Sequence, residues 1–184
     1  MTPDEVLHFW FAGDPATHRK LWFQRNADFD VSCSRFAEAL RDAKAGTLDN
    51  WTETPRGTLA LIILLDQFSR NLHRDSPEAF AADAKARDIA RSAVAKGIDQ
   101  ALGEVERMFI YLPFEHSEDL RDQDEAVRLF ATLHAVLGEA SIRYTERHRE
   151  VILRFGRFPH RNAALGRVNT PDELAYLAQP DAGF

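Results

Sequence analysis

The chain of 184 residues is 45% hydrophobic and 28% charged, ordinary usage for a globular protein with its own core. Its net charge of −6 argues against a general nucleic-acid binder, and its one cysteine excludes a disulfide framework or a Cys-rich zinc site. No apolar run is long enough to cross a membrane, and MTPDEVLHFW has acids where an export signal needs Lys or Arg, so a cytoplasmic protein is expected.

Thr2-Pro3-Asp4-Glu5 is a capping box with proline at the first helical position. Phe29, Cys33, Phe36, Leu40 and Ala43 recur at spacings of 4, 3, 4 and 3, one stripe of an amphipathic helix that Gly46 closes. Cys33 is thereby expected to be a buried, inert thiol. Thr54-Pro55 opens a helix through Leu59–Leu65, apolar on every side, which predicts a place in the middle of the fold. Ser76-Pro77-Glu78 opens an Ala-rich run to Lys96, ended by Gly97. Val105, Met108, Phe109 and Leu112 predict a helix that stops at Pro113. Ser117 is placed to cap a helix through Leu137, and Ser141 to Phe155 forms another, stopped by Gly156. Thr170-Pro171-Asp172-Glu173 repeats the first capping box. No segment alternates long enough to be a strand, and no linker or clean tetratricopeptide consensus is present. The expectation is a single all-α domain over residues 1–184, with about eight helices in stacked antiparallel hairpins.

Three segments carry polar groups where a helical protein has little use for them. The apolar helix runs directly into Asp66-Gln67-Phe68-Ser69-Arg70-Asn71-Leu72-His73, with Asp66, Ser69, Arg70 and His73 in one narrow stripe. A buried Asp66 needs a partner, and Arg70 is the nearest. Glu115 and His116 precede a helix whose inward stripe holds Gln123 where Leu would be expected. Arg157, His160 and Arg161 alternate with Phe155 and Phe158 around Gly156, and arginine can stack on a ring while its fork binds an acid or a phosphate. Residues 143–167 carry seven Arg against two Glu, whereas residues 115–125 carry six acids and one Arg. These oppositely charged stretches can pair within the fold, or some of the Arg can face a cleft.

Together the segments predict one polar groove lined by Asp66, Arg70, Asn71, His73, Glu115, His116, Gln123, Arg157, His160 and Arg161. It suits a small anionic ligand or an acidic peptide, with no cofactor and no metal. Glu115, His116 and Asp119 lack the spacing of a metal site, and no nucleophile elbow or phosphate-binding loop exists. Two alternatives stand beside this reading. The polar groups can be internal ties of a helical scaffold, or a His–carboxylate pair can act as acid and base.

The strings LHFWF, LLDQFSRN, PFEHSED and RFGRFPHRN-x-x-LGR, with TPDEL opening the last helix, resemble the bacterial family of domain of unknown function 924 (DUF924) over residues 4–178. The resemblance implies an all-helical fold similar to tetratricopeptide-like superhelices and implies no activity. Motif positions transfer at Asp66, Gln67, Arg70 and Asn71; at Glu115, His116, Glu118 and Asp119; and at Arg157, His160, Arg161 and Asn162. Ser69 stands where the family pattern leads one to expect proline.

Overall fold

Both TPDE boxes start helices in the computed structural model, which describes residues 1–180, 182 and 183. At each box the threonine hydroxyl accepts from the glutamate N–H, and the glutamate carboxylate accepts from the threonine N–H. The described residues are all-helical, with no strand. The helices are α1 (Pro3–Phe11), α2 (Ala27–Cys33), α3 (Ala37–Ala45), α4 (Pro55–Ile62), α5 (Ser69–Leu72), α6 (Asp83–Ala95), α7 (Glu104–Glu115), α8 (Leu120–Ala131), α9 (His134–Phe155) and α10 (Pro171–Leu177). A wide π-helical turn, Ile63–Phe68, joins α4 to α5 without a break.

That continuous rod is the centre of the fold. Every residue from Leu59 to Leu65 is 0% exposed, as an all-apolar helix requires. Helices α1, α3, α6 and α7 pack around it. Aromatic rings seal the packing: Trp10 meets Phe68 and Phe109 edge-on at 5.2 and 5.6 Å, and Phe36 stacks on Phe68 at 4.7 Å. The rod also starts under tight constraint. A Cβ on Gly57 would lie 2.2 Å from the Trp51 carbonyl oxygen, so only glycine lets the preceding turn come this close. A smaller apolar cluster of Val151, Ile152 and Phe158, backed by Leu120, Phe155 and Tyr176, holds the C-terminal third together.

Several boundaries differ from the sequence reading. Helix α7 runs through Pro113 to Glu115. Its last turn is buried, and Gln123 Nε2 donates to the carbonyls of Glu115 and Ser117 at its end. Ser117 does not cap α8; its hydroxyl donates to Asp122 and accepts from the Asp119 N–H, and Asp119 is the cap. Helix α8 ends at Ala131 and α9 begins at His134, but Gly138, with φ of +75° and ψ of 171°, interrupts α9, so its long second part starts close to Ser141 as the sequence suggests. The stripe from Phe29 to Ala43 is broken by a 3-10 turn, Ser34–Phe36. Ser76 caps only the short turn Pro77–Ala79, and α6 starts later at Asp83.

Candidate functional site

The site is built on the π turn. Asp66 lies within it, 1% exposed. Arg70 Nη1 is 3.1 Å from the Asp66 carboxylate and donates to the Asp66 carbonyl at 2.7 Å. The same guanidinium makes two 3.0 Å bonds to Asp83 at the start of α6. His116, at the C-terminal end of α7, places Nδ1 2.8 Å from Asp66 Oδ1. Burial works against the Asp66 charge, but Arg70 and His116 overcome it and hold the carboxyl well below the usual range. An ionised Asp66 can only accept, so His116 donates Nδ1–H and keeps its lone pair on Nε2. Burial lowers the His116 pKa despite the pull of Asp66. Nε2 has no hydrogen bond to the described residues and is not sealed from solvent.

Arg161 arrives from the other end of the chain, on a 3-10 turn, Pro159–Arg161. It is 6% exposed. Its guanidinium carbon lies 4.8 Å from the Phe80 ring centre and 4.4 Å from that of Phe158. The Asp83 carboxylate is 3.6 Å from Nη1, an ion pair too long to be a hydrogen bond. Nε is buried without a partner. Neither Nη makes a hydrogen bond to the described residues, and neither is sealed from solvent. Burial and the nearby Arg70 lower the Arg161 pKa to about 10.

These groups wall a cavity of about 340 Å³. Its lining combines the polar Arg70, Glu115, His116, His160 and Arg161 with the apolar Trp22, Phe23, Phe80 and Leu112. Burial raises Glu115 to about 7, although the Thr145 hydroxyl donates to it. Burial, helped by Arg161, lowers His160 to about 3, and burial takes His148 well below its usual value. The three imidazoles are therefore uncharged at neutral pH. Arg74 pairs with Asp30 and Arg25 with Asp75 at the rim.

A family model described as bacterial protein of unknown function (DUF924) matches residues 6–181. The chain belongs to this family. A solved structure, the protein of unknown function ATU0120 from Agrobacterium tumefaciens, is 40% identical to this DUF924 protein, with a TM-score of 0.84 over 96% of each chain. No curated protein matches it.

Three segments distant in the DUF924 chain thus meet at one centre. Arg70, Asn71, Glu115, His116, His160 and Arg161 line the cavity, with Asp66 behind His116. Three expected residues are elsewhere. His73 lies beyond the end of α5, where the backbone leaves the helix, and does not line the cavity. Gln123 is turned onto backbone carbonyls at the end of α7. Arg157 is tied to Glu173 by bonds of 2.6 and 2.8 Å and to the Val168 carbonyl, and its hydrogen bonds pull the Glu173 carboxyl down to about 2. The charged stretches pair in part, through Arg149 with Asp124 and Arg167 with Glu118. Phe80, Asp83, Thr145 and His148 are site residues that the sequence reading missed. Only Asp83 left a signal, as an acid at the start of an Ala-rich helix.

Proposed function

We propose that this DUF924 protein binds a small anionic ligand, or the acidic group of a peptide, through Arg161. One observation carries the reading: a guanidinium more than nine-tenths buried between two rings, with both terminal nitrogens open and no hydrogen bond to the described residues. Burying such a fork costs free energy that a purely structural role does not return. The reading treats residues 1–184 as one domain of stacked, tetratricopeptide-like hairpins working in the cytoplasm, in keeping with the pairwise packing of α7, α8 and α9 and a lone buried thiol.

Thermal unfolding with phosphate, sulfate, acetate and benzoate tests it. A ligand at a hundredfold excess over its Kd adds about 2.7 kcal/mol, several degrees for a protein of this size. At least one anion should raise the midpoint of the wild type and leave that of Arg161→Met unmoved. No response to any anion would favour the scaffold reading. A second, enzymatic reading rests on the Asp66–His116 pair, in which a carboxylate fixes the imidazole tautomer and leaves Nε2 as a base. It shares the Arg161 anchor and adds removal of a proton from the bound anion, taken up on Nε2.

A further inference from the structure

The charge balance around Arg161 points to the class of ligand, and it rests on the anion reading above. Two guanidiniums, Arg70 and Arg161, face two carboxylates, Asp66 and Asp83. The rim guanidiniums Arg25 and Arg74 each have a carboxylate of their own. His116, His148 and His160 carry no charge at neutral pH, and Glu115 is poised near it. Counted over the described residues, the centre is thus close to neutral before a ligand arrives, although Arg161 has unused donors. A monoanion leaves one negative charge over; a phosphate dianion leaves two. Between apolar walls each excess charge is costly, and a proton is the counter-charge at hand.

His116 is placed to take that proton. Its Nδ1–H is committed to Asp66, its Nε2 is uncommitted, and Asp66 would steady the imidazolium. Arg70 and Arg161 oppose its charge, while the Asp66 carboxylate favours it. An anion seated on Arg161 would add to the favourable side. His116 and Arg161 also line a second hollow together, and Arg161 is close enough to act on the His116 charge. Part of the remaining wall is apolar and would be left unused by a bare inorganic ion. Phe23, 45% exposed, lines it beside the edges of the buried Trp22 and Leu112 and offers an apolar ring face.

We propose that the ligand is a monocarboxylic acid with a ring-sized apolar body, its carboxylate held between Arg161 and His116 and its binding accompanied by uptake of one proton. The body lies against Trp22 and Phe23, and the guanidinium takes the carboxylate through its two open nitrogens.

Calorimetric titration with phenylacetate tests the proposal, run at about pH 6 and about pH 8 in buffers of different ionisation enthalpy. Phenylacetate should bind at least about tenfold more tightly than acetate and than phenyl phosphate. Benzyl alcohol should not bind. The dependence of heat on buffer should show close to one proton taken up, and affinity should fall by up to about tenfold per pH unit as pH rises. Arg161→Met should abolish binding. His116→Gln should remove the proton uptake and flatten the pH dependence while the protein stays folded. N-acetylphenylalanine should bind and N-acetylphenylalanine amide should not; equal binding of the two would overturn the requirement for a carboxylate. Tighter binding of phenyl phosphate would overturn the monocarboxylate assignment and leave the anion reading standing. Binding without proton uptake would overturn the role of His116. No binding of any carboxylate or phosphate to the wild type would overturn both readings.

Discussion

Replacing Arg161 by methionine separates a spare cation from a structural tie. The fall of Arg161 from 12.5 to about 10 means that its charge costs about 3 kcal/mol more in the folded protein than in water. Methionine removes that cost and nearly keeps the volume. It forfeits contacts with the Phe80 and Phe158 rings, each worth about 1 kcal/mol, and recovers part of this through sulfur–ring contacts. Asp83 loses a 3.6 Å neighbour but retains its two bonds to Arg70. Arg161→Met should therefore be at least as stable as the wild type, with a gain of about 1 kcal/mol. Arg70→Met is the contrast. It strips a guanidinium from both Asp66 and Asp83 and should cost about 3–5 kcal/mol. Urea unfolding at neutral pH resolves the two, since 1 kcal/mol moves the midpoint by about 0.5 M at a typical slope. A loss of about 2 kcal/mol or more in Arg161→Met would show that the fork is holding the fold together, and the case for an open anion anchor would fail.

Other changes probe the fold and its titration. Leu64→Ala opens a cavity at a 0% exposed position in the rod and should cost about 2–5 kcal/mol in the same urea assay. Gly57→Ala drives a methyl group toward the Trp51 carbonyl and should cost about 1–3 kcal/mol; a neutral result would mean that the turn before α4 can move away. The depressed His148 and His160 leave the unfolded chain binding more protons below its ordinary histidine range, so stability should fall as pH drops from about 6.5 toward 3. Glu115 acts in the other direction: raised from 4.5 to about 7, it contributes stability below 4.5 that is lost as pH rises through 7. Urea midpoints against pH should therefore show Glu115→Gln gaining on the wild type across that window, and a constant difference would contradict the buried, protonated carboxyl.

The parts of the fold that were legible in the sequence are those fixed by near neighbours. The two TPDE boxes, the rod from Leu59 to Leu65 and the closing glycines at residues 46, 97 and 156 depend on residues a turn or less away. Long-range pairs were not legible. Nothing local says that Arg70 meets Asp83 or that Phe80 and Phe158 close on Arg161. Residue types pointed to the centre where a polar group had no helical excuse, as at Asp66, His116 and Arg161. They failed where an equally polar residue had a tie within the chain: Arg157 looked the same as Arg161 until Glu173 was seen beside it. The stripe argument placed His73 with Asp66 because it assumed a regular helix, and neither the π turn nor the exit after Leu72 has a compositional mark.

The π turn has a consequence for how the centre opens. Its wider backbone is closed by a side chain: Arg70 Nη1 donates to the Asp66 carbonyl while the same guanidinium holds the carboxylates of Asp66 and Asp83. Pinching the turn back to a regular helix would move Asp66 relative to Arg70 and release α6 and His116 with it. Deleting one residue among 63–68 should therefore dismantle the centre rather than trim it. Local fraying is closed off for the same reason. The backbone amides of residues 66–72 should exchange with solvent only as fast as the whole molecule unfolds, even though this stretch lies beside an open cavity, where amides ordinarily exchange first.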